Sequence, residues 1–441
     1  MFRCLNRSGW DDWRHVSEAG FLRQAIADRK VVRTWESAPP AGRSVDTQWA
    51  GWLEHERIPF ISYPYEWSFG MLQQAALLQL DLMQSALAEE CILKDASPFN
   101  VQFRGVEPVF IDTASFEPHD GGPWAGYRQF CQCYLYPLML QGWRGVDFQP
   151  LLRGRMAGIS PEDCWRLLGA RGLLHRGVLS HVYLHSKLSS GVRESSRNIP
   201  ASLKESGFQK SLVEANVAKL RRLVTRLRWR PQPSRWSNYD RESEPVRQDG
   251  AAKEEFVRAV VNARSWGQVW DFGCNLGRYS RIAADRAKQV LAFDNDHVTI
   301  ERLYQDLRAE GRTNVLPLVF NLADPSPGLG WRGTERSDLT RRGRPDLTIC
   351  LALIHHLVLR ENLLLSDVVD WLADLGGTLI IEFVDKADPQ ARSLLSNRVD
   401  QYDDYSPAAL QDALSRRYQI RESRPLPSGT RTLFLATPLA E

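Results

Sequence analysis

From about residue 247 onward, short apolar runs alternate with amphipathic stretches. Residues 268–272 (QVWDF), 289–294 (QVLAFD), 314–320 (NVLPLVF), 346–354 (DLTICLALI) and 378–384 (TLIIEFV) are apolar on successive positions, with no polar face. That pattern predicts strands buried on both sides, as in a sheet covered by helices on each face. Between them, residues 297–310 and 361–374 carry apolar positions at helical spacing. Ser406-Pro407 predicts an N-cap followed by proline at the first helical position. The last runs, YQIRESRPL and TRTLFLATP, flank Pro427-Ser428-Gly429 and predict a hairpin. The expectation is an α/β Rossmann-like domain over residues 247–441, with a mostly parallel seven-stranded sheet and a late antiparallel hairpin.

Two further zones precede it. Residues 1–187 are rich in aromatic residues and helical patterning, and predict an α+β, largely helical module. Residues 188–246 are polar and basic. They include KLRRLVTRLRWRPQPSRW, where Leu220, Leu223, Val224 and Leu227 fall at helical spacing among six basic side chains, before Pro231 and Pro233. This predicts a linking helix with one docked apolar face. Its basic face is a second possibility, a patch for an anionic partner such as nucleic acid.

Composition narrows the class without naming a partner. The 441 residues include 25% charged and 43% hydrophobic positions, and the net charge is only +3. That is ordinary globular chemistry and does not call for a polyanion. The seven cysteines are odd in number and scattered, so no metal site is expected and the thiols read as reduced and cytoplasmic. No run approaches the ~20 apolar residues of a membrane span.

The strongest chemical signal is residues 269–277, VWDFGCNLG, where the first strand turns into a helix. Ligands of open α/β sheets sit beyond the carboxyl ends of the strands. A dinucleotide fingerprint needs G-x-G-x-x-G. Here Gly273 and Gly277 are separated by Cys274, Asn275 and Leu276, and Asp271 precedes the first glycine. An acid there suits the cationic amino-acid end of S-adenosylmethionine (SAM), directly or through water, and the glycines let backbone approach the cofactor. Asp294 ends the second strand, 23 residues later, where a carboxylate can accept from both ribose hydroxyls; Asp296 is the alternative. His355 and His356 follow the fourth strand, and either could serve as general base for an O or N nucleophile. Glu382 is a further candidate base. The segment from Asp324 to Pro345 is long enough to form a substrate wall, with Trp331, Arg332 and Arg336 as possible contacts.

These features resemble class I SAM-dependent methyltransferases. The resemblance implies that Asn321 or Asp324, after the third strand, meets the adenine. It also implies that the backbone at Leu351 faces the amino group and methyl of the cofactor.

In the first zone, residues 92–116 read ILKDASPFNVQFRGVEPVFIDTASF. Asp95 and Asn100 have kinase catalytic-loop spacing, and Asp112 stands where the metal-binding aspartate would be. This resembles the C-lobe of aminoglycoside-phosphotransferase-like kinases. It is degenerate: Leu93 replaces the usual histidine, Thr113-Ala114 replace Phe-Gly, and no glycine-rich phosphate loop is present. A recognition or regulatory part is therefore expected.

Taken whole, the chain resembles a group of bacterial two-part SAM methyltransferases, some nodulation-related. The carrying stretches are IPFISYPYEWSFGMLQQAALLQL, LKDASPFNVQFRGVEPVFIDTASFE, VWDFGCNLGRYSR, LPLVFNLADPSPGLGW, LALIHHL and LIIEFV. The resemblance implies SAM as cofactor and an acceptor not yet identified, a small molecule or carbohydrate before nucleic acid. It is expected to enter at the junction of the two domains. Trp10, Trp13, Trp52, Trp67 and Trp124 could stack on sugars. The rival readings are an ATP- and magnesium-dependent enzyme built on Asp95, Asn100 and Asp112, and a scaffold that binds SAM without transferring its methyl.

Overall fold

The computed structural model describes residues 1–40, 49–191, 210–232, 244–396 and 400–439. It divides into two units, Met1–Pro231 and Gln232–Glu441.

The first unit is built around the helix Phe69–Ala88. Ser68 caps it through Met71 N, and 13 of its 20 residues are buried, which makes it a core helix rather than a surface one. Its strands are short and form separate sheets. These are β1 (Phe2–Leu5), β3 (Gly51–His55) and β2 (Thr34–Ser37) in that order, the pair β4 (Cys91–Leu93) with β7 (Phe116–Pro118), and the hairpin β5 (Val101–Arg104) with β6 (Glu107–Phe110). Trp13, Trp52, Trp67 and Trp124 are all buried in this unit's core.

The basic stretch forms the helix Lys210–Arg226, which belongs to this unit. Val213, Val217, Leu220 and Val224 are buried, and Gln73 Nε2 donates to the carbonyls of Val224 and Leu227, at 2.7 and 3.0 Å. These two bonds tie the end of this helix to the helix Phe69–Ala88. Arg221 pairs with Asp81 at 2.5 Å, while Arg222 and Arg226 stay exposed. The remainder of the expected linker, residues 192–209 and 233–243, lies outside the described residues.

The second unit carries seven strands in one sheet: β8 (Trp266–Phe272), β9 (Ala287–Asp294), β10 (Val315–Val319), β11 (Leu347–Cys350), β12 (Thr378–Val384), β13 (Tyr418–Pro425) and β14 (Arg431–Pro438). Their order is β10-β9-β8-β11-β12-β14-β13. Only β14 runs against its neighbours, β12 and β13. The seven strands, mostly parallel with a late antiparallel hairpin, are those the sequence predicts. The strand order reverses at β8, which puts a crevice between the β8 and β11 ends.

Local details follow the side chains. Ser406 caps the helix Pro407–Arg417 by accepting from Ala409 N at 3.1 Å. The fourth strand stops at Cys350, short of the 354 that its apolar run suggests. Ala352 adopts φ 49°, a left-handed turn, and the chain leaves the sheet there while its side chains remain buried or half-buried. No helix among the described residues is long and apolar enough to cross a membrane.

The first unit also holds a buried imidazole. His181 is 3% exposed; its Nδ1 lies 2.7 Å from the Tyr127 hydroxyl, and its Nε2 has no partner among the described residues. Burial pushes its pKa down to about 4, with Lys219 and His185 adding to the effect. The unfolded chain binds a proton there near pH ~6.5 and the folded unit does not. Stability is untouched above that pH and falls as the pH drops toward 4. Urea unfolding between pH 7.5 and 5 should therefore show wild type losing about 2 kcal/mol more than His181→Asn. Parallel losses in the two proteins would contradict this assignment.

Candidate functional site

The end of β8 turns sharply before the helix Arg278–Ala284. Gly273 and Cys274 both donate their backbone N–H to Phe293 O, at 2.9 and 3.0 Å. Asn275 sits at φ 47°, and Gly277 at φ 74°. A Cβ on Gly277 would come within 2.5 Å of the Leu303 side chain. Glycine is required there by the turn and by packing.

The loop is fastened to the next strand by Asp294. One carboxylate oxygen accepts from Asn275 N at 2.9 Å, the other from Asp296 N at 3.0 Å. Burial raises the Asp294 pKa, and these backbone donors oppose the rise. Asp296 turns to its own helix, accepting from Val298 N and Thr299 N as the N-cap of His297–Ala309. A carboxylate has about four acceptor positions, so Asp294 retains capacity for a ligand.

A cavity of about 570 Å³ opens on these residues. Its wall includes Gly273, Cys274, Asn275, Asp294, Asn321, Leu351 and His356 from the expected set. Phe293, Phe320, Leu322, Leu353 and Leu357 give it apolar surface. Burial pushes the Cys274 thiol well up, so it is a neutral wall residue.

Four of the residues expected to bind the cofactor or act as base, Asp271, Gly277, His355 and Glu382, lie off the wall. Asp271 is 2% exposed and accepts from Ser280 Oγ at 2.5 Å, beneath the loop. Burial first, then the charge of Asp294, raises its pKa to about 7 against the Ser280 hydrogen bond. Gly277 serves the turn. His355 has no exposure, and burial, followed by His356 and Arg431, drives its pKa well down. A ring so placed does not meet an acceptor. Glu382 also has no exposure. It pairs with Lys253 at 2.7 Å and Arg431 at 3.3 Å, and accepts from Ala352 N at 2.8 Å. Off the wall and holding two cations and a backbone N–H, Glu382 is placed as a positioning residue. None of Trp331, Arg332 and Arg336 is at the wall; Trp331 is 76% exposed on the surface.

Residues missed by pattern reading complete the wall. Asp249, Gly250 and Lys253 come from the helix Glu244–Asn262, Tyr279 from the helix after the loop, Arg360 and Glu361 from the turn after β11, and Arg431 from the start of β14. They lie in charged stretches whose composition is that of any solvated helix or strand edge, so no local signal marks them.

In the first unit, Asp112 pairs with Arg3 and accepts from Ser115 Oγ at 2.6 Å, while Asp95 accepts from Ser97 N at 2.9 Å. Both side chains are engaged in local bonds.

No protein-family profile matches the chain. Among solved structures, the N-methyltransferase NodS from Bradyrhizobium japonicum WM9 aligns at 12% identity, covering 45% of this chain and 99% of that one, with a TM-score of 0.32. Magnesium protoporphyrin IX methyltransferase from Synechocystis PCC 6803, with bound SAM, aligns at 15% identity over 48% and 86%, with a TM-score of 0.31. Among curated proteins, the nodulation protein NoeA of Rhizobium meliloti (strain 1021) is 30% identical over 416 residues, 94% of this chain and 87% of that protein. With that identity extending across both units, the chain belongs to the family of the nodulation protein NoeA.

Proposed function

We propose that the second unit is a SAM-dependent methyltransferase acting on an O or N nucleophile. The observation that carries this reading is Asp294. It sits at the end of β9, at the cavity wall, locked by backbone donors from both the Gly273–Gly277 loop and its own turn. Its remaining lone pairs suit the two ribose hydroxyls of an adenosine. The apolar side chains Phe320 and Leu322 suit a flat base, and Asn321 at the same place offers polar edges. The G-x-x-x-G loop lacks the glycine spacing of a pyrophosphate site.

SAM, when bound, supplies an electrophilic methyl on a sulfonium. The protein then has to orient the acceptor and exclude water, which is where proximity contributes several kcal/mol. His356 is the one candidate base at the wall, and its neighbour His355 packs against it with ring centroids 4.1 Å apart. Glu382 acts through Ala352, holding the left-handed turn that presents Leu353 and His356. The acceptor class favoured by a cavity of this size is a small molecule or one sugar unit rather than a polymer face. In this reading the first unit is a recognition or regulatory part.

Titration of S-adenosylhomocysteine into wild type and Asp294→Ala tests the reading. Micromolar binding that weakens at least tenfold in the variant, about 1.4 kcal/mol, is expected. A folded wild-type protein with no affinity would overturn it. A second prediction concerns Asp271. The unfolded chain gives up that proton near pH ~4 and the folded one only near 7. Wild-type stability is therefore lost as the pH rises through this window. Asp271→Asn should gain on wild type between pH 4.5 and 7.5, by on the order of 3 kcal/mol in denaturant unfolding. A constant difference across that range would contradict it.

A further inference from the structure

One end of the same cavity holds, among the described residues, one more carboxylate than close cationic partners. Lys253 and Arg431 both line it. Lys253 Nζ lies 2.7 Å from Glu382 Oε1. Arg431 grips Asp388 with two bonds, at 2.8 and 3.2 Å, and reaches Glu382 at 3.3 Å. These two cations, at the wall, and two carboxylates neutralise one another. Asp249 is left over. It is 3% exposed, lines the cavity, and accepts from Ser428 N through Oδ1 at 2.9 Å. Among the described residues Oδ2 has no hydrogen-bond donor, and its nearest cation is Arg431 Nε at 3.9 Å. The other wall cations, Arg278 and Arg360, pair with Glu254 and Glu361.

A buried carboxylate oxygen is costly to leave without a close partner. A ligand that brings a cation to this wall residue lowers that cost, and Oδ2, which accepts no hydrogen bond among the described residues, is where it would do so. We propose that Asp249 is the binding group for a protonated amine in the methyltransferase cavity. The inference rests on the SAM reading above and adds the chemical class that this end of the site takes. Two sources carry that chemistry: the ammonium of the cofactor's own amino-acid end, or an amine on the acceptor. The neutral foursome beside Asp249 holds the helix Glu244–Asn262 against β12 and β14, so the carboxylate is kept in place before any ligand arrives.

Asp249→Asn is the test, because asparagine keeps an oxygen for Ser428 N and removes only the charge. Calorimetric titrations of the full chain would use S-adenosylhomocysteine and 5′-methylthioadenosine, which lacks the amino-acid end. Butylammonium and its neutral counterpart butanol would then be titrated into protein saturated with S-adenosylhomocysteine. If the amine is the cofactor's, the variant loses at least tenfold in S-adenosylhomocysteine affinity and keeps its affinity for methylthioadenosine. If the amine is the acceptor's, S-adenosylhomocysteine binding is unchanged, and wild type takes butylammonium at least tenfold better than butanol while the variant does not. A wild-type protein that binds S-adenosylhomocysteine, with a variant matching it for all four probes, overturns the proposal alone. Equal losses for the two adenosine ligands mark a structural role and overturn it too. No adenosine-ligand binding by wild type overturns the methyltransferase reading itself, and this inference with it.

Discussion

Glu382 has no solvent exposure and holds three donors at once: Lys253, Arg431 and the N–H of Ala352. The elements joined are the first helix of the unit, the last strand and the turn after β11, which are far apart in sequence. Removing one member of such a buried set costs about 3–5 kcal/mol, because the remaining charge is stranded. The wall of the cavity on this side therefore depends on one carboxylate that never touches it. On the opposite side Asp294 does similar work with neutral donors, tying the loop after β8 to the end of β9.

The electrostatics divide along the same line. At the Asp294 end, the carboxylate is supported by backbone N–H groups and flanked by aromatic and aliphatic side chains. At the Glu382 end, charged side chains are packed in near balance, with Asp249 as the remainder. A ligand with a neutral, flat, hydroxyl-bearing part and a cationic part matches this division. Asp271, buried under the loop with its pKa raised to about 7, contributes by holding Ser280 and hence the helix that follows.

The sheet was legible in the sequence because its central strands are apolar on both faces, a pattern that few other structures impose. The hairpin was legible from Pro427-Ser428-Gly429, and the cap from Ser406-Pro407. The fourth strand was read four residues too long because Leu351, Leu353 and Ile354 continue the apolar run after the chain has turned at Ala352; burial and strand pairing are different properties. Asp294 could be found, since a strand-end acid at that spacing has few other uses. His355 and His356 could not be separated, as adjacent residues differ only in direction. Asp249, Lys253 and Arg431 were invisible because their meaning comes from partners on other elements: Ser428, Glu382 and Asp388. Gly277 has a local reason of its own, in the turn and in the closeness of Leu303.

Amide hydrogen exchange of the full chain, with and without saturating S-adenosylhomocysteine, tests the central claim most directly. Slower exchange confined to residues 273–277, 294–296 and 351–353, where the loop, the Asp294 turn and the Ala352 turn meet the cavity, is the predicted result. Protection that is absent from these three segments, or that falls only within residues 1–231, would contradict the account.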